Sequence, residues 1–156
     1  MKSEVLSLTS KVGAEVQGLQ PTLARIEAVE ARCLELPQVA CPTTHVFAKG
    51  VYWREVAIPA GVFAMGHEHK TEHINVLLAG KVRVMVDGRV TELTAPQVIV
   101  SGPGIRKVVY AVTATRWANV HANPTDETDL DKIEDLFIEK SAGYLAHKEG
   151  APKWLS

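Results

Sequence analysis

The chain reads as a mainly β protein: a barrel or sandwich of short strands, with a helical arm before it and a helix after it. Three observations carry that reading. From Thr44 to His121 short apolar runs follow one another, separated by Gly, Pro, Asp-Gly and Thr-containing turns, which is the pattern of an all-β barrel or sandwich. One of those turns, Asp87-Gly88, suits a two-residue hairpin. On either side of this stretch the alternation gives way to helical spacing. The chain therefore divides into an N-terminal arm over 1–43, a β-barrel over 44–122, and a C-terminal helix and tail over 123–156.

In the arm, Pro21 sits where the first turn of a helix tolerates it, and Leu23, Ile26, Val29 and Leu34 follow at near-helical spacing. A helix from about Pro21 to Leu34 is expected. Its apolar stripe reaches back to Leu19 and Val16 and is interrupted by Glu30. The stripe needs a surface, which is either the helix's own barrel or a neighbouring subunit.

The expected strands are 44–48, 51–58, 62–69, 73–78, 81–86, 89–94, 97–101, 106–112 and 116–121. A type I′ turn at Asp87-Gly88 puts Val86 opposite Arg89, Met85 opposite Val90, Val84 opposite Thr91 and Arg83 opposite Glu92, so that unlike charges meet across the ladder. Beyond His121, Asn123-Pro124 breaks the last strand. Thr128, with Asp131 three residues on, resembles a capping box for a helix carrying Leu130, Ile133, Leu136 and Phe137. That helix is expected to cover an open face or edge of the barrel.

Composition bounds the function. With 156 residues, 46% of them hydrophobic, the chain can bury one core. Seventeen basic side chains against eighteen acidic ones, with no dense Lys/Arg run, argue against nucleic acid as a ligand. Cys33 and Cys41 match no zinc-finger spacing and are too few for a disulfide scaffold. No apolar run follows Lys2, and nowhere do eighteen apolar residues follow in succession, so neither a signal peptide nor a membrane span is expected.

The chemistry concentrates in Gly66-His67-Glu68-His69-Lys70-Thr71-Glu72-His73, which holds three of the six histidines. On one strand, His67 and His69 would leave the same face, and His73 would return after a short turn. Three neutral imidazoles form a tripod for a divalent transition metal: zinc, iron, nickel or manganese. The competing reading is a polar lining of a water-filled barrel mouth, hydrogen-bonded internally and to Glu72. Lys70 and Glu68 read as solvated strand-end charges, His45 and His147 as isolated structural histidines, and Trp53, Trp117 and Tyr110 as core or interface.

The spacing Gly61, five residues, His67-x-His69, three residues, His73, six residues, Gly80 resembles the first motif of the cupin superfamily. That resemblance implies a cupin-like jelly-roll barrel. In cupins the slot of His73 is usually a glutamate ligand. A second motif resembles Ser101-Gly102-Pro103-Gly104-Ile105-Arg106-Lys107, in which Lys107 stands where the last ligand histidine is usual; a protonated lysine has no lone pair to give. His121 is the expected replacement, since a hairpin turning around Thr113–Thr115 would set it opposite Lys107. The expected metal set is therefore His67, His69, His73 and His121, with no organic cofactor.

The stretches from His45 to Glu55, from His69 to His73, Trp117-Ala118-Asn119-Val120-His121 and Thr128-Asp129-Leu130 resemble a narrower group, the small cupin-like proteins encoded by tailed bacteriophages and prophages. That likeness covers about residues 42–147. It implies a virion or assembly protein of cement, decoration or adaptor type, located in the virion or in the cytoplasm of the infected host. Its partners would be copies of itself and other phage structural proteins. The alternative is a metal-dependent small-molecule cupin enzyme of oxygenase or isomerase type. The structural role ranks first on sequence because the arm has no evident place in the barrel and no general acid or base is placed beside the histidines.

Overall fold

The computed structural model describes residues 5–8, 20–86 and 88–150. Val16, Leu19 and Asp87 lie outside the described residues, as does the side chain of Leu23. The elements run β1 (Val5–Leu8), α1 (Gln20–Glu35), β2 (Thr43–Ala48), β3 (Gly50–Ile58), β4 (Phe63–Met65), β5 (Glu68–His69), β6 (His73–Ala79), β7 (Lys81–Val86), β8 (Arg89–Thr94), β9 (Gln97–Ser101), β10 (Val108–Ala111), β11 (Thr115–Asn123), α2 (Leu130–Phe137), β12 (Ile138–Glu139) and α3 (Ala142–Gly150). Among the described residues no helix is long and apolar enough to cross a membrane.

Two sheets face each other. One has the order β1-β9-β6-β11-β3-β2 and the other β4-β10-β7-β8, while β5 and β12 form a small ribbon. Period-2 alternation directs Leu77, Ile99 and Trp117 of the first sheet and Val82, Val84, Leu93, Val109 and Ala111 of the second into one apolar core. A smaller cluster of Tyr52, Ile133 and Phe137 closes the other end. The core fills the space between the sheets, and the polar site lies beside it at the end that α2 covers.

The β7–β8 hairpin has the register that its Asp-Gly turn demands: Val86 faces Arg89, Met85 faces Val90, Val84 faces Thr91 and Arg83 faces Glu92. Gly88 takes φ 73°, the left-handed value that a type I′ turn requires. Arg83 Nε reaches Glu92 Oε2 at 3.3 Å.

Four expectations are corrected. The run expected as one strand over 62–69 breaks at Gly66-His67, because the Gly66 amide donates to the Lys107 carbonyl at 2.8 Å and its own carbonyl accepts from Arg106 Nε at 2.8 Å. The expected 106–112/116–121 hairpin does not form. The Val112 and Thr113 amides bond to the Lys81 carbonyl, and β11 crosses into the other sheet, where His121 pairs with Tyr52 rather than with Lys107. The C-terminal helix is capped one residue later than expected: the Asp129 carboxylate accepts from the Asp131 and Lys132 amides.

The fourth correction concerns the arm. Glu30 does not interrupt the buried stripe of α1 but belongs to it, with Ile26 one turn before. Its carboxylate takes Arg106 Nη1 at 3.3 Å, Arg106 Nη2 and Ser141 Oγ, which ties α1, the strand approach to β10 and the start of α3 together. Burial by itself would raise the Glu30 carboxyl, but the Arg106 and Ser141 hydrogen bonds outweigh it and hold the group below the ordinary carboxylate value. Further upstream, β1 adds to the edge of the large sheet by parallel pairing with β9. Among the described residues, β1 and α1 of the arm therefore pack on their own chain.

Candidate metal centre and its cavity

Three histidines converge at the end of the barrel that α2 covers. The short β5 supplies His69, whose carbonyl is fixed by the Gly104 amide at 2.8 Å. His73 opens β6 and faces inward, while Glu72 before it is exposed, as alternation requires. β11 runs antiparallel to β6 with Asn119 opposite Asn75 and Val120 opposite Ile74, so one further step sets His121 beside His73. Ring centroids lie 4.0 Å apart for His69–His73, 4.8 Å for His73–His121 and 5.2 Å for His69–His121. One ligand nitrogen from each lies within 4.8 Å of the others.

His67 is not in that group. The break at Gly66 turns it away from the face of His69, and its ring meets Tyr144 of α3 edge-on with centroids 4.5 Å apart. It still lines the cavity. The structure thus brings together three of the four residues that spacing singled out and leaves His67 at the wall.

Protonation favours ligation. Burial holds all three imidazoles far below the ordinary value, helped by their neighbours' charge: His69 falls to about 2, His73 to about 4 and His121 to about 3. The cluster is neutral at physiological pH, the state in which a ring nitrogen offers a lone pair. His73 Nδ1 lies 3.1 Å from the Thr71 carbonyl, which fixes the proton there and leaves Nε2 as the free lone pair. His73 Nε2, His69 Nδ1 and His121 Nδ1 are buried without a hydrogen-bond partner. Buried polar atoms are normally satisfied. Three neutral imidazoles, each offering a nitrogen within 4.8 Å of the other two, fit a divalent transition metal held by His69, His73 and His121.

Beneath the histidines runs a buried polar chain that the sequence reading missed. Lys107 Nζ donates to Ser101 Oγ at 3.0 Å, and Asn75 Nδ2 donates to the same oxygen at 2.9 Å. Trp117 Nε1 and Asn119 Nδ2 each donate to Asn75 Oδ1 at 3.3 Å. The signal was present, since Asn75 is two residues from His73 and Asn119 two from His121, each on its histidine's inward face. Burial pushes the Lys107 ammonium down to about 8, so it remains mostly charged at neutral pH.

His69, His121, Lys107, Trp117 and Asn119 line a cavity of about 550 Å³, with His73, Ser101 and Asn75 behind them. Its far wall is apolar, with Val56, Ile58, Val109 and Trp117, and its rim carries Thr43, His45, Arg54 and Glu134. His45 is not isolated: its Nδ1 lies 2.7 Å from the Tyr52 hydroxyl. Helix α2 covers the mouth with Ile133 and Phe137, and the Phe137 ring stacks on His121 with centroids 4.6 Å apart. The chain then continues into β12, which pairs Ile138 with His69.

No family model matches the chain, and no curated protein matches it. Solved structures do. A cupin 2 domain-containing protein from Halorhodospira halophila superposes with a TM-score of 0.50 at 14% identity, over 74% of this chain and 80% of that one. A cupin superfamily protein from Desulfitobacterium hafniense gives 0.49 at 9% identity, over 56% and 81%. An RmlC-like cupin from Shewanella frigidimarina gives 0.48 at 16%, over 57% and 78%. At these identities the likeness concerns fold alone, and it lends nothing to the narrower resemblance to phage proteins. In architecture the chain is a cupin jelly roll.

Proposed function

We propose that this protein is a metal-dependent cupin that binds and transforms a small molecule in the cavity beside His69, His73 and His121. The observation that carries this reading is the convergence of three neutral imidazoles, two of which, His69 and His121, line a cavity of about 550 Å³. A purely structural plug has no need to bury polar atoms unsatisfied. The assembly role drew its weight from an arm without a place in the barrel. With β1 on the sheet edge and Glu30 held by Arg106, the described parts of the arm have partners within their own chain.

A three-histidine divalent ion supplies Lewis-acid polarisation and open coordination positions. The chain's own groups do the rest. Thr71 fixes the tautomer and tilt of His73, Phe137 holds the His121 ring by stacking, and the Ser101–Asn75–Trp117 chain fixes the floor. Ile133 and Phe137 exclude bulk water from the histidine end, which strengthens every charge interaction inside.

The test has two stages. Protein prepared without chelator should carry about one divalent metal per chain by elemental analysis, and H73A should carry close to none. The loaded protein, but not H73A, should then deplete at least one member of a small-molecule pool followed by mass spectrometry. Absence of metal, together with no thermal stabilisation by zinc, nickel, iron or manganese, would overturn the reading. Copurification with intact phage particles at fixed stoichiometry would restore the assembly role in its place.

A further inference from the structure

We infer that the cavity takes a small organic carboxylate, whose charged end lies against Lys107 beside the three histidines. This rests on the small-molecule reading above and gives it a substrate class. Lys107 is only 5% exposed and lines the cavity. Its ammonium has three N–H donors, yet the one hydrogen bond it makes among the described residues is to the neutral Ser101 hydroxyl. No carboxylate pairs with it among the described residues. Buried charges are otherwise paired, because leaving water uncompensated is costly. Glu30 shows how this chain treats a buried cation that needs no ligand: it seats a carboxylate against Arg106. Lys107, on the next residue, has no such partner and faces the cavity instead.

The rest of the lining has the same bias. Arg54 stands at the rim without an ion pair among the described residues, and the one acidic residue of the lining, Glu134, lies 3.2 Å from Lys140 Nζ. Two cations therefore face the cavity against one acid that already has its partner. The apolar wall of Val56, Ile58, Val109 and Trp117 provides for a hydrocarbon or aromatic body, which a bare inorganic anion would leave unfilled. The volume, about 550 Å³, falls within the roughly 300–1,000 Å³ of small-molecule sites.

Benzoate and benzamide have nearly the same shape and differ in charge, so they form the probe pair, with inorganic phosphate as a third ligand. Binding is measured by calorimetry on chelator-treated full-length protein and on the zinc-loaded form, with zinc content determined separately. Benzoate should bind both forms, with benzamide at least about tenfold weaker, and K107M should lose about tenfold or more of the benzoate affinity while its zinc content stays unchanged. R54Q, at the rim, should lose less. No benzoate binding, equal binding of benzoate and benzamide, an undiminished K107M, or phosphate binding as tight as benzoate would each overturn the inference. Should K107M fail to fold, the benzoate–benzamide contrast in the unaltered protein decides. A chain that takes no zinc but binds benzoate through Lys107 refutes the metal reading and not this one; a zinc-loaded chain indifferent to Lys107 does the reverse.

Discussion

His69, His73 and His121 are neutral because they are buried, and that makes the metal-free protein acid-sensitive. Their folded values, about 2, 4 and 3, lie below the ordinary 6.5, so the unfolded chain binds more protons in the interval between. The stability they support is complete above about pH 6.5 and is lost as pH falls through the folded values, by up to about 1.4 kcal/mol per pH unit for each histidine. Chelator-treated protein should therefore need markedly less urea to unfold at pH 5 than at pH 7, and a midpoint flat across that range would contradict the assignment. Lys107 follows the same trend at higher pH, since its folded value is also depressed. Its value drops from 10.5 to about 8, so at neutral pH the charged amine opposes folding by roughly 3 kcal/mol. K107M should raise the melting temperature of the ligand-free protein, with the gain shrinking as pH rises from 8 toward 10.5. Gly66 gives a third residue-scale expectation: a Cβ there would sit 2.7 Å from the Lys107 carbonyl oxygen, a backbone atom with little freedom to retreat. G66A should cost about 1–3 kcal/mol in urea unfolding.

Helix α1 depends on one buried ion pair. Arg106 is nearly solvent-free and, among the described residues, keeps only the Gly66 carbonyl once Glu30 is gone. E30A should therefore destabilise the protein by about 3–5 kcal/mol and expose α1 to protease, whereas the double variant E30L/R106M should recover most of the loss, because it removes both charges. Glu30 also shows where a sequence stops being legible. A helical stripe with a carboxylate in it reads as broken until its partner, distant in the chain, is known. The β7–β8 hairpin was legible down to its register because the Asp-Gly turn and the alternation beside it are local signals that agree. The turn after β10 was not, since the Lys81 carbonyl that captures Val112 and Thr113 belongs to β7, about thirty residues earlier in the chain. His121 reaches the cluster all the same, through antiparallel pairing with β6 instead of the hairpin that the spacing suggested. For His67 the failure was also non-local: two histidines at i and i+2 share a face only on an unbroken strand, and Gly66 breaks this one by its bonds to residues 106 and 107.

At the scale of the whole molecule, the polar site adjoins the apolar core and shares Ile58, Val109 and Trp117 with it, while the histidines themselves stand outside the core cluster. Closure of the polar end falls to α2 and β12, through the Phe137 ring on His121, the Lys70 amide on the Phe137 carbonyl at 2.9 Å and the pairing of Ile138 with His69. F137A should leave the barrel folded and speed extraction of the ion by chelator about tenfold or more, measured as the rate at which zinc passes to a chromogenic chelator. An unchanged rate would mean that α2 is no barrier. The ligands and their cover also come from separate segments: residues 69, 73 and 121 all precede residues 130–139, so α2 can lift without carrying a ligand away, and exchange of the ion is then set by how often the cover opens rather than by loss of a ligand.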